Sequence, residues 1–252
     1  MIDTHCHILP DVDDGPRTME GAIRMAEAAV KQGIHTMIAT PHHATKRYST
    51  PASTIQRSVH KFNEKLKKQG IPLTVLPGQE FRLTNEYRTE HRKGRIQTLA
   101  GSPYILVELP SKAIPSYLFE FVSYMARHQL RILIAHPERN VGVIQQPEIL
   151  RGWLEHGILL QVTTQSLIGY FGRKVQETAK WICRRQYAHL IASDAHDVIQ
   201  RKFYFREGYK MVEELRHSSY TAALQANASR LIRGEEIVSL YDDSVRERTE
   251  EI

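Results

Sequence analysis

Short runs of aliphatic and β-branched residues recur along the chain. Each is followed by a longer stretch in which apolar positions return every three or four residues. That alternation predicts βα units feeding a mostly parallel sheet. Seven strands are expected: Met1 to His7, Ile34 to Thr40, Pro72 to Leu76, Tyr104 to Glu108, Arg131 to Ala135, Ile158 to Val162 and His189 to Ala192. Helices are expected from Met19 to Gln32, Thr50 to Gly70, Pro115 to His128, Pro147 to His156 and Arg173 to Arg185, with helical pattern continuing through Leu231. Thr18 offers the first helix an N-cap and Gly33 a stop. Pro51 suits the first position of the second. No internal repeat or linker-like stretch interrupts the pattern, so residues 1–241 read as one α/β domain. Residues 242–252 are charged and poor in apolar side chains, and read as a tail or a weakly docked segment.

Length agrees with one domain of barrel size, since 252 residues can bury a substantial core. The longest apolar runs, such as Arg131-Ile132-Leu133-Ile134-Ala135, are too short to cross a bilayer, so no membrane insertion is expected. No basic region followed by an apolar stretch opens the chain, and Cys6 and Cys183 are its only cysteines. Both features point to a reducing cytoplasm. A net charge of +6 favours anionic partners. Nucleic acid, phosphorylated protein and phosphorylated metabolites all qualify, as does a surface tuned only for solubility. No stripe of interleaved aromatic and basic residues marks a single-strand groove, which disfavours nucleic acid.

The candidate chemistry lies where the predicted strands end. Asp3-Thr4-His5-Cys6-His7 closes the first strand, and alternation puts His5 and His7 on one face with Cys6 on the other. Two imidazoles so placed form a metal pincer, or two polar residues satisfied by ordinary hydrogen bonds. Asp14 follows in the next loop. His42 ends the second strand, Glu80 the third, Glu108 the fourth and His136 the fifth, while Asp194 and His196 follow the seventh. Any one of them could cap a helix or bind water, but agreement over six strand ends points to a pocket at one rim of a barrel. Nine imidazole and carboxylate ligands without a thiolate suit manganese, iron or zinc, with cobalt and magnesium as further options. They are too many for one ion, so two or three ions sharing a carboxylate are expected, with Glu80 as the bridge. Clustered dications serve phosphoester cleavage, because they generate hydroxide near neutral pH and hold the attacking and leaving oxygens.

Arg139 and Arg201 are the candidate catalytic residues, as guanidinium grips for phosphate. Arg139 could instead pair with Glu138 or a helix neighbour. Asp197 could support a ligand histidine or cap a helix. Tyr48, Phe81 and Tyr170 could line a pocket for an aromatic substrate or simply pack. Cysteine-phosphatase chemistry is excluded, because the positions six residues after Cys6 and Cys183 hold Val12 and His189 rather than arginine. No glycine-rich loop with lysine suggests nucleotide binding of the P-loop kind.

The set Asp3-x-His5-x-His7, Asp14, Pro41-His42, Glu80, Glu108, His136-Pro137-Glu138-Arg139 and Ser193-Asp194-Ala195-His196 resembles the polymerase and histidinol phosphatase (PHP) superfamily. Within it, the opening Ile2 to Pro10 and Asp13-Asp14-Gly15-Pro16 resemble the bacterial capsule-type, manganese-dependent tyrosine phosphatases. The resemblance spans roughly Met1 to Glu236. It implies a distorted (β/α)7 TIM-like barrel, the PHP fold, with a trinuclear site. By motif, His5, His7, Glu80 and Asp194 would hold one ion, Glu80, Glu108 and His136 a second, and Asp14, His42 and His196 the third. Arg139 and Arg201 match positions expected to bind phosphate. The implied substrate is phosphotyrosine on a bacterial tyrosine kinase that controls capsule or exopolysaccharide synthesis. Another phosphoesterase of this barrel type, such as a histidinol-phosphate phosphatase or a metal-dependent deoxyribonuclease, is the alternative. A metal-stabilised module that binds a phosphorylated kinase without turnover is a third reading.

Overall fold

The computed structural model describes residues 1–241, so the expected tail at 242–252 lies outside the described residues. In chain order the elements are β1 (Ile2–Cys6), α1 (Met19–Lys31), β2 (Thr36–Ala39), β3 (His42–His43), α2 (Ala52–Lys68), β4 (Thr74–Pro77), β5 (Glu80–Arg82), α3 (Tyr87–Arg92), β6 (Tyr104–Glu108), α4 (Leu118–Arg127), β7 (Arg131–Ala135), α5 (Val141–Gln145), α6 (Ile149–Glu155), β8 (Leu159–Thr163), α7 (Thr164–Leu167), α8 (Arg173–Arg184), β9 (Leu190–Ala192), α9 (Phe205–Leu215) and α10 (Ser218–Ile232).

All seven expected strands form, and the second and third each gain a further half beyond their expected ends. β3 follows β2 across Thr40-Pro41, and β5 follows β4 across Gly78-Gln79. Proline cannot donate to a ladder. The Gln79 side chain turns to hold Thr50 and Arg95 carbonyls instead of staying in the sheet. The halves sort into two parallel sheets, β1-β2-β4 and β3-β5-β6-β7-β8-β9. Backbone bonds join the two sheets at their β1 and β9 edges: Asp194 N–H donates to His5 O and His7 N–H to Ala195 O, both at 2.9 Å. On the other side the chain itself carries β2 into β3 and β4 into β5. The result is the expected α/β barrel with parallel strands, distorted where the two strands break.

Side chains alternate across this wall. Ile105, Val107, Ile132, Ile134, Leu160, Val162 and Ile191 face outward into the layer shared with the helices. Leu106, Leu133, Leu159 and Leu190 face the interior, where they meet Ala228 and Leu231 of α10 and the ring of Tyr104. Each such buried aliphatic side chain contributes about 1.5–3 kcal/mol. The Tyr104 hydroxyl donates to Glu235 O and accepts from Ile237 N–H, which ties the segment after α10 beneath the barrel. The N-terminal end is thereby plugged with apolar groups, and polar side chains collect at the opposite rim.

The helices follow the expected pattern with three corrections. Thr18 caps α1 by accepting from Gly21 N–H, but Pro51 is the cap residue of α2 rather than its first helical position. The helical pattern to Leu231 is not continuous: an irregular loop runs from residue 193 to 204, and Arg216-His217 separates α9 from α10. No helix begins at Asp197, whose carboxylate accepts the N–H groups of Ile199, Gln200 and Arg201 and so shapes a turn.

Candidate metal centre and active site

All nine histidine and carboxylate candidates converge at the C-terminal ends of the strands. His5 and the following His7 come from β1, His42 from β3, Glu80 from β5 and Glu108 from β6. His136 follows β7, and Asp194 and His196 follow β9. Asp14 reaches in from the loop after β1. That loop must pass close to the strand: a Cβ on Gly15 would overlap the His7 carbonyl oxygen. His136 and Asp194 both adopt left-handed backbone, with φ of 33° and 52°. Such residues cost of order 1–3 kcal/mol each and cluster at functional sites.

Glu80 sits at the middle. Its Oε1 lies 2.7 Å from His136 Nε2. Its Oε2 lies 2.9 Å from His42 Nδ1, 3.3 Å from His7 Nε2 and 3.6 Å from His5 Nε2. Asp194 Oδ1 stands 3.3 Å from both His5 Nε2 and His7 Nε2. On the outer side, Asp14 Oδ1 lies 3.3 Å from His196 Nε2 and 3.5 Å from His42 Nε2. Four overlapping groups have the compactness a cation needs: His7, Asp14, His42 and His196; His5, His7 and Glu80; His5, His136 and Asp194; and His42, Glu80 and Glu108. The first contains the expected Asp14, His42 and His196 with His7 added, and the second contains His5, His7 and Glu80 of the expected set without Asp194. His136 groups with His5 and Asp194, and His42 with Glu80 and Glu108, so the inner assignment differs from the family-based expectation.

Residues that sequence reading did not single out set the histidine tautomers. His7 Nδ1 donates to Asp13 Oδ2 at 2.6 Å, and His5 Nδ1 to Gln161 Oε1 at 2.8 Å. Gln161 is fixed in turn by donating to Thr4 Oγ1. His196 Nδ1 donates to the Asp194 carbonyl. These bonds turn the Nε2 lone pairs inward. The signal for Gln161 was available, since it is the polar member of an otherwise aliphatic run, Ile158 to Val162. Asp13 belongs to the Asp13-Asp14-Gly15-Pro16 motif, and its role beside His7 shows only in the fold. Arg82 was also missed; its Nε lies 2.9 Å from Glu108 Oε2.

The donor set fits a bound cation cluster. His5 Nε2 and His7 Nε2 face each other at 3.2 Å with both Nδ1 positions already donating, so two lone pairs meet unless a cation or proton is shared. His42 Nδ1, Glu80 Oε2, Glu108 Oε2 and His196 Nε2 are buried and make no directed hydrogen bond, although His42 Nδ1 and Glu80 Oε2 lie 2.9 Å apart and Arg82 Nε approaches Glu108 Oε2 to 2.9 Å. Buried polar atoms left without hydrogen bonds are costly, and the shared focus of these calls for positive charge. The electrostatics agree. Burial opposes charge on His7, but Asp13, Asp194 and Glu80 overcome it and hold the imidazolium well above the usual histidine range. Burial raises Glu108, with the Glu80 charge adding to it. Burial and the His7 charge push His196 down to about 4.

Both arginines reach the same site. Arg139 Nη1 and Arg201 Nη2 meet Asp194 Oδ2 at 2.5 and 2.7 Å. Burial alone would raise Asp194, yet the two guanidinium groups hold it well below the carboxylate range. Arg139 also donates to Thr163 Oγ1 and Ser166 Oγ. The pairing of Arg139 with Glu138 does not form, because Glu138 accepts from Thr163 N–H and Oγ instead. Arg201 Nε is buried and unpartnered. A cavity of about 320 Å³ opens over these groups, lined by His42, Glu80, Glu108, His136, Arg139, Asp194 and Arg201, with Leu109, Tyr170 and Phe171 further out. Of the other aromatic candidates, Phe81 is buried behind the wall beside His43, and Tyr48 stacks near His42 at 6.1 Å. Cys6 packs outward with its thiol donating to Ala195 O.

A parallel α/β barrel plugged at one end, with nine histidine and carboxylate side chains and two arginines converging at the other, has the layout of a metal-dependent barrel enzyme. The chain belongs to the CpsB/CapC family of capsular polysaccharide synthesis, whose model matches residues 1–233. It is 36% identical over 248 residues to the tyrosine-protein phosphatase YwqE of Bacillus subtilis, covering 98% of both chains. It is 35% identical over 209 residues to a putative tyrosine-protein phosphatase, CapC, of Staphylococcus aureus, covering 82% of this chain and 81% of the other. A crystal structure from work on YwqE of Bacillus subtilis and CpsB of Streptococcus pneumoniae, described as unique metal-dependent tyrosine phosphatases, superposes with a TM-score of 0.91 at 37% identity. That match covers 94% of this chain and 96% of the other.

Proposed function

We propose that this chain is a metal-dependent protein tyrosine phosphatase, acting in the cytoplasm on a phosphorylated bacterial tyrosine kinase of capsule or exopolysaccharide synthesis. The observation that carries the reading is the meeting of closely packed imidazole and carboxylate groups, several of their buried atoms without a directed hydrogen bond, and two convergent guanidinium groups in one open pocket. His5, His7, Asp14, His42, Glu80, Glu108, His136, Asp194 and His196 would hold two or three divalent ions, with manganese the first choice for an imidazole and carboxylate set. Bound ions of this kind supply hydroxide near neutral pH and offset phosphate charge.

The protein's own groups do the rest. Arg139 and Arg201 bind the phosphate oxygens, and the buried Nε of Arg201 is a donor with nothing else to serve. Asp194 aims both guanidinium groups, since its Oδ2 accepts from each. Asp13 and Gln161 fix the tautomers of His7 and His5. The departing group is a phenolate with a parent pKa near 10, so it leaves without strong general-acid assistance. The basic net charge of +6 favours a phosphorylated partner. Among the described residues no helix is long and apolar enough to cross a membrane.

The test is a manganese-loaded turnover panel comparing a phosphotyrosine peptide, histidinol phosphate and single-stranded DNA. The phosphotyrosine peptide is expected to be the preferred substrate. Turnover confined to histidinol phosphate or DNA would move the assignment to another phosphoesterase of this fold. Tight peptide binding without turnover would make the protein a phosphopeptide-binding module.

A further inference from the structure

The outer wall of the cavity is aromatic, and it is built on the arginine pair. Phe171 lies face-on beneath Arg139, its ring centre 3.9 Å from the guanidinium carbon and 5.9 Å from that of Arg201. Tyr170 meets Phe171 edge-on at 4.9 Å and lines the same cavity. It is 42% exposed, which is unusual for a large aromatic side chain in this molecule. The segment that carries both rings is pinned. Tyr170 N–H donates to Gln165 O, Gly172 N–H to Gly169 O, and Gln176 Nε2 to Leu167 O. The aromatic pair is therefore already in place before anything enters the cavity.

A phosphate gripped by the two arginines must send its ester group outward past these rings. An alkyl ester offers them little, whereas a phenyl ring can stack or meet them edge-on. We propose that Tyr170 is a specificity-determining residue that contacts the substrate's aromatic ring, and that Phe171 is a positioning residue that holds the Arg139–Arg201 pair, so that this loop selects aryl over alkyl phosphate monoesters.

The inference rests on the phosphatase reading above, and the experiment separates the two. KM and kcat are measured on the manganese-loaded full chain with a phosphotyrosine peptide, together with the competitive inhibition constant of inorganic phosphate, which has no ring. Tyr170→Ala is expected to raise KM about tenfold, the size of one aromatic contact with its buried area. The rise should fall on KM rather than kcat and leave the phosphate inhibition constant where it was. Tyr170→Phe, which restores the ring, should bring KM back. Phe171→Leu should weaken inorganic phosphate itself, because the guanidinium loses its platform. Equal shifts of KM and the phosphate constant in Tyr170→Ala, or no shift in either, would overturn the role of Tyr170. An unchanged phosphate constant in Phe171→Leu would remove the positioning role. Failure of the wild-type protein to hydrolyse phosphotyrosine would defeat the phosphatase reading before any variant was compared.

Discussion

Asp13 belongs to none of the four compact groups that could hold a cation, yet its carboxylate decides which nitrogen His7 turns inward. It also accepts from His42 N–H and Gly15 N–H, so it braces both the strand end and the loop that brings Asp14 into range. Outer-shell partners of ligand histidines are typically worth 10–100-fold in metal affinity. Asp13→Asn is therefore expected to weaken manganese binding by about 10–100-fold, as read by competition with a chelating dye. Affinity equal to wild type would show that His7 is oriented by its other neighbours. Cys6 presents the opposite case, a conspicuous residue without a chemical task. It is fully buried, and burial with the nearby Asp3 charge holds its thiol well above the cysteine range. A serine there can keep the bond to Ala195 O, so Cys6→Ser should retain phosphatase turnover with full metal content. Complete loss of turnover at intact metal content would implicate the thiol.

Strands were the most legible elements, because parallel strands covered on both faces read as nearly unbroken aliphatic runs. Arg131 to Ala135 is such a run, and β7 occupies those residues. Harder to see were the breaks at Thr40-Pro41 and Gly78-Gln79, where rim geometry overrides the run and leaves the two-residue β3. Hidden too was α7, whose Thr164-Gln165-Ser166-Leu167 carries no helical periodicity and folds because its side chains are buried against neighbours. The candidate ligands were legible because polar residues ending an apolar run are conspicuous, and Gln161 carried a related signal as the polar member of an aliphatic run; Arg82 needed three dimensions. The start of β9 supports a prediction of its own. His189 is 2% exposed, and its Nδ1 accepts Leu160 N–H, which requires a neutral ring. Burial pushes it down to about 4. Its unfolded value lies near 6.5. As pH falls from 6.5 to 4 the unfolded chain gains a proton that the folded chain refuses, so stability present above 6.5 declines by up to about 3 kcal/mol. In His189→Asn the amide oxygen can accept the same bond without titrating. Urea midpoints should then show a flatter loss between pH 6.5 and 4 than wild type. Parallel curves would place the acid sensitivity in other groups.

At the scale of the molecule, the barrel rim crowds carboxylates and imidazoles, and several of their buried atoms make no directed hydrogen bond. Metal should therefore stabilise the whole fold through linkage. With free manganese at 100 times its dissociation constant the gain is about 2.7 kcal/mol. For a chain of this size that corresponds to a rise of about 5–10 °C in melting temperature. Scanning calorimetry with manganese, and again after chelation, checks it. Identical transitions would mean that the rim does not select a cation in the folded state. The opposite end of the barrel has a different consequence. Because α10 and the strap held by Tyr104 stopper the floor, the described residues leave no passage through that end of the barrel. Reactant must enter, and both dephosphorylated polypeptide and orthophosphate must leave, on the side of the rim. Whatever chain is served has to project its modified side chain on a slender, unhindered stretch, and the orthophosphate left behind stands in the path of the next arrival.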